Sequence, residues 1–135
     1  DLASVLRDNG VDAVKVGCEE GVCGACTVLL DGEAVPSCLV MVGRAVGRRI
    51  ETASSLVDTP IGRRLADALV RHGGVQCGFC TPGVLATAVG LLCREPHPTR
   101  DAIADALAAN LCRCTGYVGI LDAVVAASQP EPQEL

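Results

Sequence analysis

The sequence predicts an α+β fold with a strand-bearing first half and a helical second half. A hairpin signal comes early, as Thr27-Val-Leu-Leu, then Asp31-Gly32, then Glu33-Ala-Val-Pro36; an Asp-Gly pair between two extended runs is a strong short-range turn signal. From Pro60 onward, apolar residues recur at helical spacing, and Gly, Pro and Thr punctuate the runs. The third observation is cysteine. There are nine in 135 residues, and all but Cys93 fall into two foursomes: Cys18, Cys23, Cys26 and Cys38, then Cys77, Cys80, Cys112 and Cys114.

A chain this short makes one compact domain or two very small ones, neither with a generous core. Half of the residues are apolar, yet only Phe79 and Tyr117 are aromatic, so the interior is expected to consist of Val, Leu, Ile and Ala. Thin cores of this kind call for staples. Asp1 to Gly10 has neither the basic start nor the apolar run of a secretory leader. The apolar stretch from Val84 to Cys93 is far too short to span a bilayer. The reading is therefore a cytoplasmic protein without a membrane span, in which cysteines hold metal rather than form disulfides. Eleven Lys and Arg against sixteen Asp and Glu, a net charge of -5, argue against a nucleic-acid partner, because such binding rests on neutralising phosphates.

Taking the elements in order, Asp1 is placed to cap a short helix with Leu2, Val5 and Leu6 on one face, and Gly10 to end it. Cys18-Glu-Glu-Gly-Val-Cys-Gly-Ala-Cys26 follows, then the hairpin, then Cys38. The spacing C-x4-C-x2-C with a fourth cysteine across the hairpin is the plant-type [2Fe-2S] ligand pattern. Gly17, Gly21 and Gly24 let the loop fold closely around inorganic sulfur. Zinc is the alternative, although its sites favour two separated C-x2-4-C knuckles. A Rieske centre needs two histidines, and neither His72 nor His97 lies in a cysteine motif. Arg48 to Thr52 reads as the last strand of this half, with Arg44, Arg48 and Arg49 on a solvated face. The expected boundaries are a first domain over 1–53, a linker over 54–60, a helical domain over 61–128 and a polar tail over 129–135.

In the helical half, Ile61, Leu65, Leu69 and Val70 form an apolar stripe ended by Gly73-Gly74. Pro82 suits the first turn of a helix carrying Leu85, Val89 and Leu92 to Cys93. That helix would aim its positive end at the Cys77 and Cys80 thiolates. Thr99 is an N-cap for a helix with Ile103, Ala106 and Leu107 inward, and a last helix carries Ile120, Leu121, Val124 and Val125. Between these two, Cys112 and Cys114 must sit on an irregular loop for their sulfurs to converge. The second foursome suits either zinc or an iron-sulfur cluster. Cys93 is expected as a small buried helix residue, and the two histidines as surface or capping residues.

Three segments together, Cys18-Glu-Glu-Gly-Val-Cys-Gly-Ala-Cys26, Gln76-Cys-Gly-Phe-Cys-Thr-Pro-Gly83 and Asn110-Leu-Cys-Arg-Cys-Thr-Gly-Tyr117, resemble the iron-sulfur subunit of the xanthine dehydrogenase family of molybdenum hydroxylases. The resemblance covers nearly the whole chain. It implies a β-grasp, plant-type ferredoxin-like N-terminal domain and a C-terminal four-helix domain, with two [2Fe-2S] clusters. Cys18, Cys23, Cys26 and Cys38 would ligate one cluster, and Cys77, Cys80, Cys112 and Cys114 the other. It also implies a molybdopterin-binding large subunit approached by Gln76 and Cys114, and an FAD-binding medium subunit near the plant-type cluster. No residue of this chain would act on substrate. The family's β-grasp half opens with a hairpin that this sequence lacks ahead of its first helix, so a longer natural product is expected. The competing readings are a free-standing ferredoxin-like carrier, the iron-sulfur region of a fused dehydrogenase chain, and a zinc-binding interaction module.

Overall fold

The computed structural model describes residues 1–129; of the polar tail expected over 129–135, all but Gln129 lies outside the described residues. Helix α1 (Leu2–Asp8) starts where the sequence places it: the Asp1 carboxylate accepts the Ser4 amide at 2.8 Å. Leu2 and Ala3 are buried, but Val5 is 40% exposed, so the buried face is narrower than the expected stripe. Strands β1 (Thr27–Leu30) and β2 (Glu33–Pro36) form the hairpin in antiparallel register, Leu30 opposite Glu33 and Thr27 opposite Pro36. Asp31 and Gly32 both have positive φ, 53° and 85°, which a two-residue type I′ turn requires.

A short helix α2 (Val42–Ala45) leads to β3 (Ile50–Glu51), which pairs antiparallel with β1 on its other edge. The sheet order is β2-β1-β3. Asp31 holds this corner together: its carboxylate accepts from Arg48 Nε at 2.7 Å and from the Arg49 amide at 2.8 Å. Those bonds hold the Asp31 carboxyl below the usual carboxylate range. Arg49 in turn pairs with Glu51 at 3.1 Å. Two of the three arginines expected on an open solvated face are therefore answered within the chain.

The side chains of β1 divide between two cores. Val28 and Leu30 join Leu2 and Val14, whereas Leu29 points the other way into the larger, helical core. That alternation is the period of two of a strand covered on both faces. Helix α3 (Ala53–Leu56) occupies the first part of the expected linker, with reciprocal capping between Thr52 and Ser55. Leu56 is 2% exposed in the larger core, so the segment between the halves is packed structure rather than a free connection. Its polar residues lie on the outside of one turn, which is why composition reads as a linker.

Helices α4 (Pro60–Arg71), α5 (Thr81–Arg94), α6 (Arg100–Leu107) and α7 (Val118–Ser128) follow. Thr59 and Thr99 cap α4 and α6 through hydroxyls that accept from Gly62 and Ala102. In α4 the inward positions are Leu65, Ala68 and Leu69, and Val70 is 72% exposed. Helix α5 is the centre of the molecule: every residue from Gly83 to Leu92 is buried, with α4, α6 and β1 around it. Its exit breaks that pattern. Cys93 is exposed, not buried as expected, because the last turn leaves the core.

The start of α5 meets the first cysteine loop. A Cβ on Gly83 would collide with the carbonyl oxygen of Gly24 and lie 3.2 Å from Asn110 Nδ2. Two effects therefore oppose each other in Gly83→Ala: alanine favours a helix by about 1 kcal/mol, while overpacking against fixed backbone costs about 1–3 kcal/mol. The carbonyl is tethered on two sides, so the second effect wins, and Gly83→Ala lowers the holoprotein's denaturant midpoint. Gly43→Ala in α2, where a Cβ meets nothing within 4 Å, leaves it unchanged or raises it.

Candidate metal centres

The first foursome gathers at one end of the hairpin. Cys26 immediately precedes β1, and the register brings the chain back so that Cys38 arrives on a 3-10 turn just after β2. Ser37, fully buried, fastens the two ends: its amide and its hydroxyl both donate to the Cys26 carbonyl, at 3.3 and 2.7 Å. The Cys18 sulfur accepts the amides of Glu20 at 3.4 Å and Cys23 at 3.3 Å, and these lower its pKa to about 7. Glu19 takes φ 57° at this bend. Cys38 behaves oppositely: burial, with the hydrogen bond and charge of Cys26, pushes it up to about 11.

The second foursome lies where α5 begins and the α6–α7 loop returns. Cys80 is the N-cap of α5, Cys77 precedes it across Gly78, and Cys112 and Cys114 come from the irregular loop. The sulfurs of Cys77 and Cys114 are 3.6 Å apart. Burial first, then hydrogen bonding to Cys112, pushes Cys80 up to about 11. Burial would raise Cys112 as well, but the Thr115 hydroxyl and amide outweigh it and bring the thiol down. Tyr117, in the left-handed region at φ 69°, accepts the Cys112 amide on its phenol oxygen at 2.8 Å. Thr115, Tyr117 and Ser37 were not singled out from sequence as site-shaping residues. The Thr-Gly-Tyr run after Cys114 was the available signal for the first two, and Ser37 carried none.

Each foursome brings together four cysteine sulfurs, and in the second those of Cys77 and Cys114 lie in direct contact at 3.6 Å. A structural zinc ion would draw all four into one tetrahedral shell, with each sulfur at about 2.3 Å from the metal. Two thiolates to each of two irons is the demand of a [2Fe-2S] cluster, and a set of four cysteines fits it.

The two loops touch each other. The Leu111 amide donates to the Cys23 carbonyl at 2.9 Å, and Asn110 Nδ2 donates to the Gly24 carbonyl at 3.1 Å. Asn110 is 3% exposed. The Phe79 ring lies beside Gly17. On the outside, Gln76, Cys77, Arg113 and Cys114 are exposed, so Gln76 and Cys114 flank the solvent side of the second foursome. His72 ends α4 and is exposed; His97 lies far along the chain, with Nδ1 3.0 Å from the Ser128 carbonyl oxygen. Neither joins a cysteine cluster. No helix among the described residues is long and apolar enough to cross a membrane.

Comparison with known proteins finds two family matches. Residues 1–55 match the 2Fe-2S iron-sulfur cluster binding domain family and residues 52–125 a second [2Fe-2S] binding domain family. The chain is 49% identical over 127 residues to the nicotine 6-hydroxylase small subunit of Paenarthrobacter nicotinovorans, covering 93% of this chain and 76% of that one. It is 43% identical over 126 residues to the xanthine dehydrogenase iron-sulfur-binding subunit of Escherichia coli O157:H7, covering 92% and 79%. Among solved structures, the aldehyde oxidoreductase of Desulfovibrio gigas superposes with a TM-score of 0.87 at 45% identity, covering 94% of this chain and 14% of that one. With both domain families in tandem and relatives this similar over nearly its whole length, the chain belongs to the iron-sulfur subunits of the xanthine dehydrogenase family of oxidoreductases.

Proposed function

We propose that this chain is the electron-transfer subunit of a molybdenum hydroxylase complex. It would pass electrons from a molybdopterin site on a large subunit, through two [2Fe-2S] clusters, to FAD on a medium subunit. Cys77, Cys80, Cys112 and Cys114 hold one cluster, and Cys18, Cys23, Cys26 and Cys38 hold the other. A [2Fe-2S] cluster supplies one-electron chemistry, which divides a two-electron oxidation into single steps. The domains divide as 1–53 and 61–128. The first is a β-grasp, ferredoxin-like unit, a reading that the antiparallel three-stranded sheet supports.

The observation that carries this reading is the hydrogen bond from the Leu111 amide to the Cys23 carbonyl. It joins one ligand cysteine to the neighbour of another, so the two cysteine loops are connected by a few covalent bonds and one short contact. Asn110 holds that contact in place from the buried side. Gln76 and Cys114, exposed beside the Cys77 sulfur, are the residues that meet the pterin-bearing partner. Substrate chemistry belongs to that partner. A free-standing carrier would need a single exposed cluster and would leave this coupling between loops without a use.

Three outcomes check the proposal. Cys112→Ser in the assembled complex removes one of two [2Fe-2S] signals in electron paramagnetic resonance and spares the other, and Cys23→Ser does the reverse; loss of both or neither contradicts the ligand sets. Metal analysis finds iron and acid-labile sulfide in equal amounts, whereas a colourless, zinc-bearing protein sinks the reading. Asn110→Ala removes one of three donors to the Gly24 carbonyl, costs about 0.5–1.5 kcal/mol of stability, and slows electron passage between the two centres in stopped-flow reduction.

A further inference from the structure

We infer that the Thr115 hydroxyl donates a hydrogen bond to the Cys112 sulfur and thereby raises the reduction potential of the cluster that sulfur holds, making Thr115 the tuning residue of the helical-domain centre. The inference rests on the reading of Cys112 as a cluster ligand.

Thr115 Oγ1 lies 3.2 Å from Cys112 Sγ, and two facts fix the direction of the bond. A ligating sulfur is a thiolate and has no proton to give. The Tyr117 amide donates to Thr115 Oγ1 at 3.2 Å, which occupies a lone pair of the oxygen. A threonine hydroxyl carries one proton, and with its oxygen held from the Tyr117 side, that proton is free for the sulfur.

The surrounding geometry holds the hydroxyl in place. Tyr117 is turned into the left-handed region at φ 69°, and in that conformation its phenol oxygen accepts the Cys112 amide at 2.8 Å. Cys112, Thr115 and Tyr117 thus form a closed ring of three hydrogen bonds. Thr115 is half-buried, so water competes weakly for its proton.

The other foursome is tuned differently. Its Cys18 sulfur accepts from the amides of Glu20 and Cys23, donors that no side-chain substitution removes. Among the described residues, Thr115 is the one side chain other than cysteine that bonds to a cysteine sulfur. Reduction adds one electron to the centre; Thr115 keeps its proton and no bond breaks. The added negative charge falls partly on the sulfurs, where a donor stabilises the reduced form more than the oxidised form. The centre with the hydroxyl is thereby easier to reduce than the same centre without it.

The test is a potentiometric titration of the intact complex, reduced stepwise with dithionite and followed by electron paramagnetic resonance. The helical-domain signal is identified as the one missing in Cys112→Ser; if that variant removes neither signal, the ligand reading fails and the inference with it. Thr115→Val, close in shape but without the hydroxyl, is expected to move that signal's midpoint to more negative potential and leave the other midpoint in place. Thr115→Ser is expected to restore the wild-type value. A valine midpoint equal to wild type, with both signals present, overturns the inference while leaving the ligand reading intact. Thr115→Ala provides a second measurement if the valine variant does not load. Loss of the helical-domain signal in both makes Thr115 a purely structural residue and likewise overturns it.

Discussion

The structure turns on the contact between the two cysteine loops, where Asn110 and Leu111 grip the backbone at Cys23 and Gly24. A buried carboxamide is costly unless its donors are met, and here Nδ2 reaches the Gly24 carbonyl while Thr27 Oγ1 lies 3.5 Å away. Thr27 itself donates to the same carbonyl at 2.8 Å. Close approach depends on small residues on both sides. Gly24, at φ 66°, lies where any Cβ would strike the Ala109 carbonyl, and Gly83 closes the other side. Larger residues would push the loops apart and break the hydrogen bonds that join them.

That grip is supported by a shared core. Neither half has enough apolar residues to stand easily alone, and β1 works for both: Val28 and Leu30 serve the smaller cluster and Leu29 the helical one. Helix α5 completes the union, buried over its middle ten residues and packed against β1. The distance between the two cysteine sites is thus set by a strand and a helix rather than by a hinge. This rigidity suits a relay, in which the separation of the centres must not drift.

The two sites differ in how they hold charge. In the first, backbone amides stabilise the Cys18 thiolate while burial disfavours charge at Cys38. In the second, the loop from Cys112 to Tyr117 supplies the Thr115 hydroxyl as well as backbone amides. Backbone donors follow from the loop's path and tolerate side-chain change. A side-chain donor is open to adjustment by single substitutions, so the helical-domain centre is the more adaptable of the two.

Much of this was legible beforehand because it is local. Cysteine spacing, the Asp31-Gly32 turn and the caps Asp1 and Thr99 are short-range signals, and the structure bears out this turn and these helix starts. Val5, Val70 and Cys93 depart from expectation for one reason: spacing along the sequence places them inward, but burial depends on what comes from elsewhere, and all three are exposed. The supporting residues Ser37, Thr115 and Tyr117 act through hydrogen bonds whose directions depend on the path of the loop. The amino-acid order by itself determined which residues could bind metal and where strands and helices begin, since both follow from residue chemistry and spacing. Only the tertiary structure decided that Cys114 meets Cys77 and that Leu111 reaches Cys23, because these contacts join residues far apart in sequence that only packing brings within reach.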